Sequence, residues 1–239
     1  MDSVLLICGH GGSNPYDSGA VNKTFNLHEA TLVRELCSLV AERLKRFVKV
    51  SIYDPTKNCY REQKEGHLVN FRAYDYVLEF HFNAYKPNKA YGCEVLIHPT
   101  ETGHTVEDCI VDTVSSVLGT QNRGVKVRSD LLNMNLCKGS MGTSYALIEV
   151  EFIDNDQRIS AYLSKKEAVA DAIAKGIVEG FGKGKYSSIS TEPTVDELVY
   201  KLNELGILSD VDLWKKKATE DNCIYWLMRK AVNYINQHI

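Results

Sequence analysis

The 239-residue sequence has no apolar run that approaches the roughly 20 residues needed for a membrane-spanning helix. The apolar stretch Val4–Cys8 is too short for the core of a signal peptide, and no basic segment precedes it. It leads directly into a glycine-rich loop. We therefore expect no membrane partner, and we expect synthesis in the cytoplasm without a secretory signal.

An excess of positive charge is also missing. The formal net charge is -3 at pH 7, whereas binding to nucleic acid usually requires a basic face. Hydrophobic residues make up 44% and charged residues 25% of the chain, which is an ordinary balance for a globular protein. The composition predicts no nucleic-acid partner and argues against wholesale disorder.

Clustered cysteines are lacking as well. The seven cysteines are odd in number, and no two of them stand in a C-x-x-C spacing. A chain of this length can bury a core without disulfides, so free and mostly buried thiols are predicted. A zinc site built from cysteines is disfavoured, because such sites normally cluster their ligands.

Over about the first 180 residues, short apolar segments alternate with longer amphipathic ones. This pattern predicts an α/β fold with a central, mostly parallel or mixed sheet flanked by helices. Strands are expected at 3–8, 48–53, 76–82, 93–98 and 146–149. Helices are expected at 27–47, 106–118 and 165–181.

The residues after about position 182 differ in composition and have no strand-and-helix alternation. A stretch rich in glycine and serine ends at Pro193 and is typical of a linker. Thr194 and Glu197 then form a capping box at the start of a helix, and a second helix is expected at about 222–236. The predicted division is a catalytic domain at 1–182, a linker at 183–193 and a small helical C-terminal module at 194–239.

Two histidines stand at the ends of predicted strands. His10 lies in the glycine-rich loop after the first strand, where α/β sheets concentrate functional residues, although a turn that merely contains a histidine has the same sequence. His81 shares one face of its strand with Glu79 and Asn83. Such polar side chains need solvent, a partner or a metal, and the alternative for His81 is a histidine satisfied within the core.

Three acidic residues are further candidates. Glu29 opens a long helix, where an acid can simply stabilise the N-terminus through the helix dipole. Glu149 ends a buried strand, where it is either capped by backbone amides or serves as a general base beside a metal-bound water. Glu151 is expected to be a loop acid or a partner for the start of the next helix.

His98 and His104 are rival metal ligands, because each lies near an acid, Glu94 or Glu101. They fall near a strand end and a helix start, so a solvated or capping role is favoured for both. His28 adjoins Glu29 but faces another direction, since neighbouring residues of a helix do not share a face.

Five short segments follow one another in a familiar order: Gly9–Gly12, Asp17–Ala20, Glu29, Glu79–Ala84 and Ile148–Asn155. Together they resemble the zinc-dependent N-acetylmuramoyl-L-alanine amidases of the Amidase-3 family. That family shows Gly-His-Gly-Gly, then Asp-Pro-Gly-Ala, a helix-borne Glu, Ser-Ile-His-x-Asn-Ala and Val-Glu-x-x-Phe-Ile-x-Asn. An Arg-Gly-Val-Lys segment at 123–126 also matches. Each motif alone is weak, so the resemblance depends on their order between about Ser3 and Phe181.

The resemblance implies hydrolysis of the amide bond between N-acetylmuramic acid and L-alanine in bacterial peptidoglycan, which would be the partner. It implies a Zn²⁺ cofactor held by His10, Glu29 and His81. Glu149 would be the catalytic carboxylate that moves a proton. Two imidazole nitrogens and one carboxylate oxygen form a known catalytic zinc set that leaves a fourth position for water.

Two positions depart from the family pattern. Ser18 replaces the usual proline, and residues 54–65 lack the family's Thr-Arg-x-x-Asp pattern, which leaves substrate contacts there open. Two other functions compete: a zinc peptidase that cuts within the peptide stem, and a non-catalytic cell-wall-binding protein. The lack of a signal sequence favours a phage endolysin or a mother-cell enzyme, with the C-terminal module serving wall targeting or packing.

Overall fold

A mixed sheet of six strands forms the centre of the first of two compact units, Met1–Ser188 and Ile189–Ile239. The computed structural model describes residues 3–12, 15–188, 195–220, 224–225 and 227–232, apart from the side chain of Glu197. The strands are β1 (Ser3–Cys8), β2 (Val21–Asn22), β3 (Leu27–His28), β4 (Lys49–Ile52), β5 (Tyr76–Asn83), β6 (Cys93–Ile97), β7 (Asn122–Val127) and β8 (Ser144–Phe152). The helices are α1 (Glu29–Leu44), α2 (Cys59–Lys64), α3 (Thr105–Leu118), α4 (Leu132–Met134), α5 (Asp156–Gly180), α6 (Val195–Glu204) and α7 (Val211–Glu220). A 3₁₀ turn spans Phe71–Ala73, and a π-helical turn at Asn135–Ser140 continues α4.

The direction of the strands decides which loops meet. The order in the sheet is β4-β1-β5-β8-β6-β7, with β2 and β3 forming a separate hairpin. Strands β4, β1, β5 and β8 are parallel neighbours, whereas β6 runs antiparallel to β8 and parallel to β7. The carboxyl ends of β1, β5 and β8 therefore meet at one edge, beside the amino end of β6. The predicted α/β fold with a mostly parallel, mixed sheet is confirmed.

The two faces of the sheet bury different cores. Leu78 and Phe80 of β5 belong to the larger core, which also contains the buried faces of α1, α3 and α5. Val77, Tyr145 and Leu147 point to the opposite face and pack in a smaller core with residues of α2 and α4. Because burial of one large apolar side chain contributes about 1.5–3 kcal/mol, both layers hold the central strands firmly. The site described below lies at the end of the smaller core.

The structure extends two predicted elements. Strand β8 runs over Ser144–Phe152 rather than 146–149, and α5 begins at Asp156 rather than at 165. Asn155 caps α5 by accepting a hydrogen bond from the backbone of Arg158, and Ile159 begins its buried face. The polar first turn of α5 hid this start from hydrophobic periodicity. The sequence also missed α2, α4, β7 and the β2–β3 hairpin, which are short or carry little apolar alternation.

Six described cysteines are free thiols, as predicted, and all but Cys109 are buried. Cys223 lies outside the described residues. Within the described part of the chain, no helix combines the length and the hydropathy that a membrane crossing would take.

The second unit contains α6 and α7 around a small core. Leu198, Leu202 and Ala218 are buried in it together with Met228. The predicted cap at Thr194 and residues 189–193 of the predicted linker lie outside the described residues, and the helix expected at 222–236 is described only in part. The division at 182 and 194 stays a prediction.

Tyr186 packs the last residues of the first unit against α5 and the residues that follow α1. Its contribution to stability can be tested by comparing chains that end before and after it. Its ring centroid lies 5.5 Å from that of Phe47, its hydroxyl donates to Asp171 at 2.5 Å, and its backbone donates to Glu179 at 3.2 Å. A chain that ends after Gly184 should lose roughly 1–3 kcal/mol of unfolding free energy relative to one that ends after Ser188. Urea unfolding of the two chains measures the difference, and equal midpoints would show that Tyr186 adds no stability.

Candidate active site

The loop after β1 has a backbone that only a tightly packed environment can hold. His10 has a φ of 58°, and Gly11 and Gly12 have φ values of 81° and 88°. A left-handed conformation costs a non-glycine residue roughly 1–2 kcal/mol. Gly9 packs directly against His81, because a Cβ on Gly9 would lie 2.4 Å from Cε1 of that ring. The loop therefore packs against the ring of His81, and this contact requires glycine at position 9.

Arg34 of α1 fixes this loop from below. Its guanidinium donates hydrogen bonds to the carbonyl oxygens of His10 at 3.0 Å, Gly9 at 3.3 Å and Pro55 at 2.8 Å. A Cβ on Gly11 would lie 1.9 Å from Nη2 of Arg34, so this close wrapping needs glycine. No local pattern indicates this role, because in the sequence Arg34 resembles any other polar residue of an amphipathic helix.

Glu29 lies at the first turn of α1 and is buried. Its Oε2 accepts a hydrogen bond from the backbone of Ala20 at 2.8 Å, and its Oε1 accepts one from the backbone of Phe82 at 3.0 Å. Its Oε1 also lies 2.9 Å from Nδ1 of His81, and its Oε2 lies 3.2 Å from Nε2 of His10. Although burial opposes ionisation, hydrogen bonds from the two histidines hold the pKa of Glu29 well below its ordinary value. The carboxylate is therefore charged.

Each histidine contacts a second carboxylate through its other nitrogen. Nδ1 of His10 lies 2.9 Å from Oδ2 of Asp17, and Nε2 of His81 lies 3.0 Å from Oε1 of Glu79. The two rings meet edge to face, with their centroids 4.9 Å apart. Burial lowers the pKa of both imidazoles, but hydrogen bonds to Glu29 and to the second carboxylates outweigh it and raise both pKa values.

The structure brings together the three residues that the family resemblance implies as metal ligands. One side-chain donor atom each from His10, Glu29 and His81 lies within 4.8 Å of the other two. These residues come from a loop, a helix start and a strand, so the fold alone brings them close. An N, N, O donor set of this composition is able to hold a divalent metal ion.

Glu149 lies on β8 directly beside His81 of β5. Its side chain is half-buried, and its Oε2 is closed off from solvent with no hydrogen-bond partner among the described residues. Burial raises the pKa of Glu149 to about 8, against the lowering influence of His81 and with a further increase from Glu29 and Glu94. A carboxyl group with this pKa can accept and release a proton near neutral pH.

The two neighbouring acids are engaged elsewhere. Glu94 of β6 pairs with Glu149 in the sheet, but its oxygens accept hydrogen bonds from Asn83 at 3.0 Å and Arg123 at 2.9 Å. Glu151 is completely buried and lies 3.1 Å from Nε of Arg158. Of these three acids, only Glu149 has a buried oxygen that accepts no hydrogen bond within the described chain.

The expectation that Glu151 is a loop acid is wrong. Strand β8 continues through Phe152, so Glu151 lies inside the sheet, where it also accepts a hydrogen bond from the backbone of Gly92 at 2.6 Å. Its contact with Arg158, in the first turn of α5, agrees with the other expectation, a partner for the helix start. Glu151 therefore links β8 to Gly92, which directly precedes β6, and to Arg158 of α5.

The rival histidines are outside this group. His98 contacts Thr100 at 2.8 Å, and His104 contacts Asp108 one helical turn later at 2.7 Å. Both contacts are solvent-exposed. These two residues therefore have the solvated and local roles that the sequence favoured.

A cavity of about 300 Å³ adjoins the two histidines on the side of the smaller core. Asp17, Asn58, Tyr60, Glu79 and Leu131 contribute to its wall. Sequence reasoning assigned no role to Asp17 or Glu79, although Asp17 stands in one of the quoted motifs and Glu79 shares a strand face with His81. A substrate that reaches the histidines can extend into this cavity.

The raised pKa of Glu149 has a consequence for stability that can be measured on metal-free protein. A folded-state pKa of about 8, above the ordinary 4.5, means that the folded state binds a proton that the unfolded state has lost between these pH values. The unfolding free energy should therefore fall as pH rises through this window. Because glutamine does not ionise, Glu149→Gln should be more stable than the wild type at about pH 9, by on the order of 1–3 kcal/mol, and nearly equal to it at about pH 5.

The control for this measurement is Glu65→Gln, a change at an exposed acid. It should leave the pH dependence of urea unfolding unchanged. If Glu149→Gln also left it unchanged, Glu149 would titrate as an ordinary carboxyl group and the raised pKa would be wrong.

Comparisons with known proteins give the family. The profile of the Amidase-3 family, described as N-acetylmuramoyl-L-alanine amidase, matches residues 4–179 of this chain. A comparison with curated proteins finds no match.

Several solved structures share the fold. An N-acetylmuramoyl-L-alanine amidase from Clostridium difficile 630 is 21% identical with a TM-score of 0.65, and the alignment covers 77% of this chain and 98% of that chain. The catalytic domain of the CD27L endolysin, which targets Clostridia difficile, is 21% identical with a TM-score of 0.60, covering 75% and 98%. The N-acetylmuramyl-L-alanine amidase Ami1 from Mycobacterium abscessus is 20% identical with a TM-score of 0.60, covering 76% and 99%.

These structural likenesses establish the fold, and the match to the family profile covers well over half of the chain, including all four candidate residues. The chain belongs to the Amidase-3 family of N-acetylmuramoyl-L-alanine amidases.

Proposed function

We propose that this chain hydrolyses the amide bond between N-acetylmuramic acid and L-alanine in bacterial peptidoglycan, with zinc as its cofactor. The supporting observation is the group formed by His10, Glu29 and His81 inside the region that matches the family. Glu149 lies on the next strand, directly beside His81.

The residues of the site fit a zinc ion by their chemistry. Two imidazole nitrogens and one carboxylate oxygen are a common catalytic zinc set, with room for water at a fourth position. Histidines that bind metal usually have their other nitrogen bonded to a carboxylate or carbonyl group, as His10 is to Asp17 and His81 is to Glu79. The ionised state of Glu29 also favours a cation. When bound, zinc polarises the substrate carbonyl and lowers the pKa of water.

Glu149 is the residue of this chain that moves the proton. In its ionised form it accepts a proton from the attacking water, and in its protonated form it donates that proton to the amide nitrogen as the C–N bond breaks. Its unpartnered Oε2 has no competing hydrogen bond from the described residues. In the metal-free chain, burial raises the pKa of Glu149 to about 8, so the protonated form is accessible near neutral pH.

His10 and His81 hold their positions through contacts that leave one nitrogen each directed at Glu29. The backbone amides of Ala20 and Phe82 orient the Glu29 carboxylate. The cavity beside the histidines gives the substrate a place to lie on the smaller-core side. These groups bind and orient, whereas Glu149 carries out the proton transfer.

The bond that is cut can be identified by mass spectrometry of digested peptidoglycan. We expect intact glycan strands and free stem peptides that begin with L-alanine. Fragments shortened within the stem would instead identify a zinc peptidase, and the absence of any product would favour a non-catalytic wall-binding protein.

An endolysin role, in which the enzyme reaches the wall after release from the cell, stays a prediction. Clearing of a suspension of permeabilised bacterial cells measures lytic action on intact walls.

The zinc ligands can be tested by metal analysis. The purified wild-type chain should carry about one zinc ion per molecule, and His10→Ala or His81→Ala should lose it, because two remaining protein ligands rarely retain zinc against water. His104→Ala changes an exposed histidine outside the site and should retain the metal. Full zinc content in the His81 variant would rule out this ligand set.

The proton-transfer role separates Glu149 from Glu151. Glu149→Gln should keep zinc and fold while its turnover of muropeptides falls by something like a hundred- to ten-thousand-fold, the range for a lost general acid–base group. Glu151→Gln should change turnover far less and mainly lower the unfolding free energy, because it weakens the buried pair with Arg158. The opposite pattern, with turnover lost only in the Glu151 variant, would require reassignment of the catalytic acid.

A further inference from the structure

Glu79 is a buried carboxylate two residues before His81 on the same face of β5. Its Oε1 lies 3.0 Å from Nε2 of His81. Its Oε2 accepts a hydrogen bond from the side-chain amide of Asn133 at 2.8 Å and another from the hydroxyl of Tyr145. With two donors fixed on one oxygen, the second oxygen is left to face the imidazole.

A second layer of hydrogen bonds holds this arrangement. The side-chain oxygen of Asn133 accepts a hydrogen bond from Nε2 of Gln63 at 3.0 Å, and Oε1 of Gln63 accepts one from the backbone of Val69 at 3.3 Å. Gln63 and Asn133 are both buried. A buried polar network in which every contact is made is rigid, because any rearrangement would leave a donor or acceptor unpaired.

The network decides which nitrogen of His81 can bind a metal. A neutral imidazole has one N–H donor and one nitrogen with a free lone pair, and the partner of one nitrogen sets the state of the other. A carboxylate oxygen only accepts, so in the metal-free chain both nitrogens of His81 donate, Nε2 to Glu79 and Nδ1 to Glu29. A metal ion held by His81 and Glu29 would take the place of the proton on Nδ1, which lies 2.9 Å from Glu29, while the Nε2–H group stays bonded to Glu79.

We propose that Glu79 is a positioning residue that fixes His81 in the Nε2–H tautomer and directs Nδ1 at the metal, a role that rests on the zinc site of the proposed function. The side chain of Glu79 is 7% exposed, compared with 38% for Asp17, which makes the corresponding contact with His10. The family pattern has serine at the position of Glu79. The carboxylate that contacts His81 is therefore a departure of this chain from the family pattern.

Glutamine at position 79 tests the tautomer directly. The hydrogen bonds from Asn133 and Tyr145 require an oxygen on their side, so the amide of Glu79→Gln would turn its NH₂ group towards His81. An NH₂ group donates, which favours a lone pair on Nε2 and a proton on Nδ1. The substitution should therefore weaken zinc binding by roughly ten- to a hundred-fold in competition with a chromogenic chelator.

The matched control is Tyr145→Phe. It removes one donor to Oε2 of Glu79 but leaves the contact between Oε1 and His81. We expect its zinc affinity to stay within about threefold of the wild type. Equal losses in the two variants would indicate general loosening of the pocket and would overturn the positioning role, as would an unchanged affinity in Glu79→Gln.

The nitrogen spectrum of His81 provides a readout that needs no variant. In zinc-loaded wild-type protein labelled with ¹⁵N-histidine, Nε2 of His81 should carry the proton and Nδ1 should not. The reverse assignment would overturn the proposal even if Glu79→Gln did not fold. Circular dichroism and urea unfolding of the variant report on folding separately.

The two proposals fail in different ways. If the wild-type chain bound no zinc through His81, the proposed function itself would be wrong. If the wild type bound zinc and Glu79→Gln bound it equally well, only the role of Glu79 would be wrong.

Discussion

The carboxylate of Glu29 is the point at which the separate parts of the site meet. It accepts hydrogen bonds from the backbone on two sides and contacts one nitrogen of His10 and one of His81. Burying a charge costs free energy unless it is paired. Here each oxygen of the Glu29 carboxylate contacts one backbone N–H group and one histidine nitrogen. Loss of this group would leave two half-buried imidazoles without their common acceptor and would remove one of the contacts between the first loop and β5.

Glu149 differs from the other acids near the site in having no ion-pair partner, within the described chain, for its buried oxygen. Glu94 and Glu151, which lie nearby, are each paired with an arginine, whereas Oε2 of Glu149 has no partner among the described residues. Burial and the nearby negative charges keep this carboxyl group protonated to a higher pH than usual. A group held in this way lowers the stability of the metal-free folded chain above neutral pH, and this cost falls on the residue that we propose as the proton carrier.

The sequence predicted the fold class and the edge of the sheet at which the candidate residues lie, because strand ends and hydrophobic alternation are local signals. His10, Glu29, His81 and Glu149 were identified as candidates only through the order of the family motifs. Residues so far apart in the sequence share no periodicity that could link them. Arg34 and Asn133 could not be found in this way. Their roles depend on carbonyl and carboxylate groups that are distant in sequence, and a local pattern carries no information about such partners. Only the loop alternative for Glu151 was wrong, because the end of β8 carries two acids and a polar strand end resembles a loop.

The place of β8 in the sheet affects how the protein folds. It is the last strand of the sheet in the sequence, yet it lies between β5 and β6. Until it is synthesised, the β4-β1-β5 group and the β6-β7 pair each have an open edge with unpaired backbone groups. Such edges pair readily with other chains, and contacts between distant segments form slowly. Insertion of β8 closes both edges and delivers Glu149 in the same event. The nascent or refolding chain should therefore be most prone to aggregation just before it gains Glu149, the proposed catalytic carboxylate, and chaperones that shield strand edges should raise its yield most at that stage.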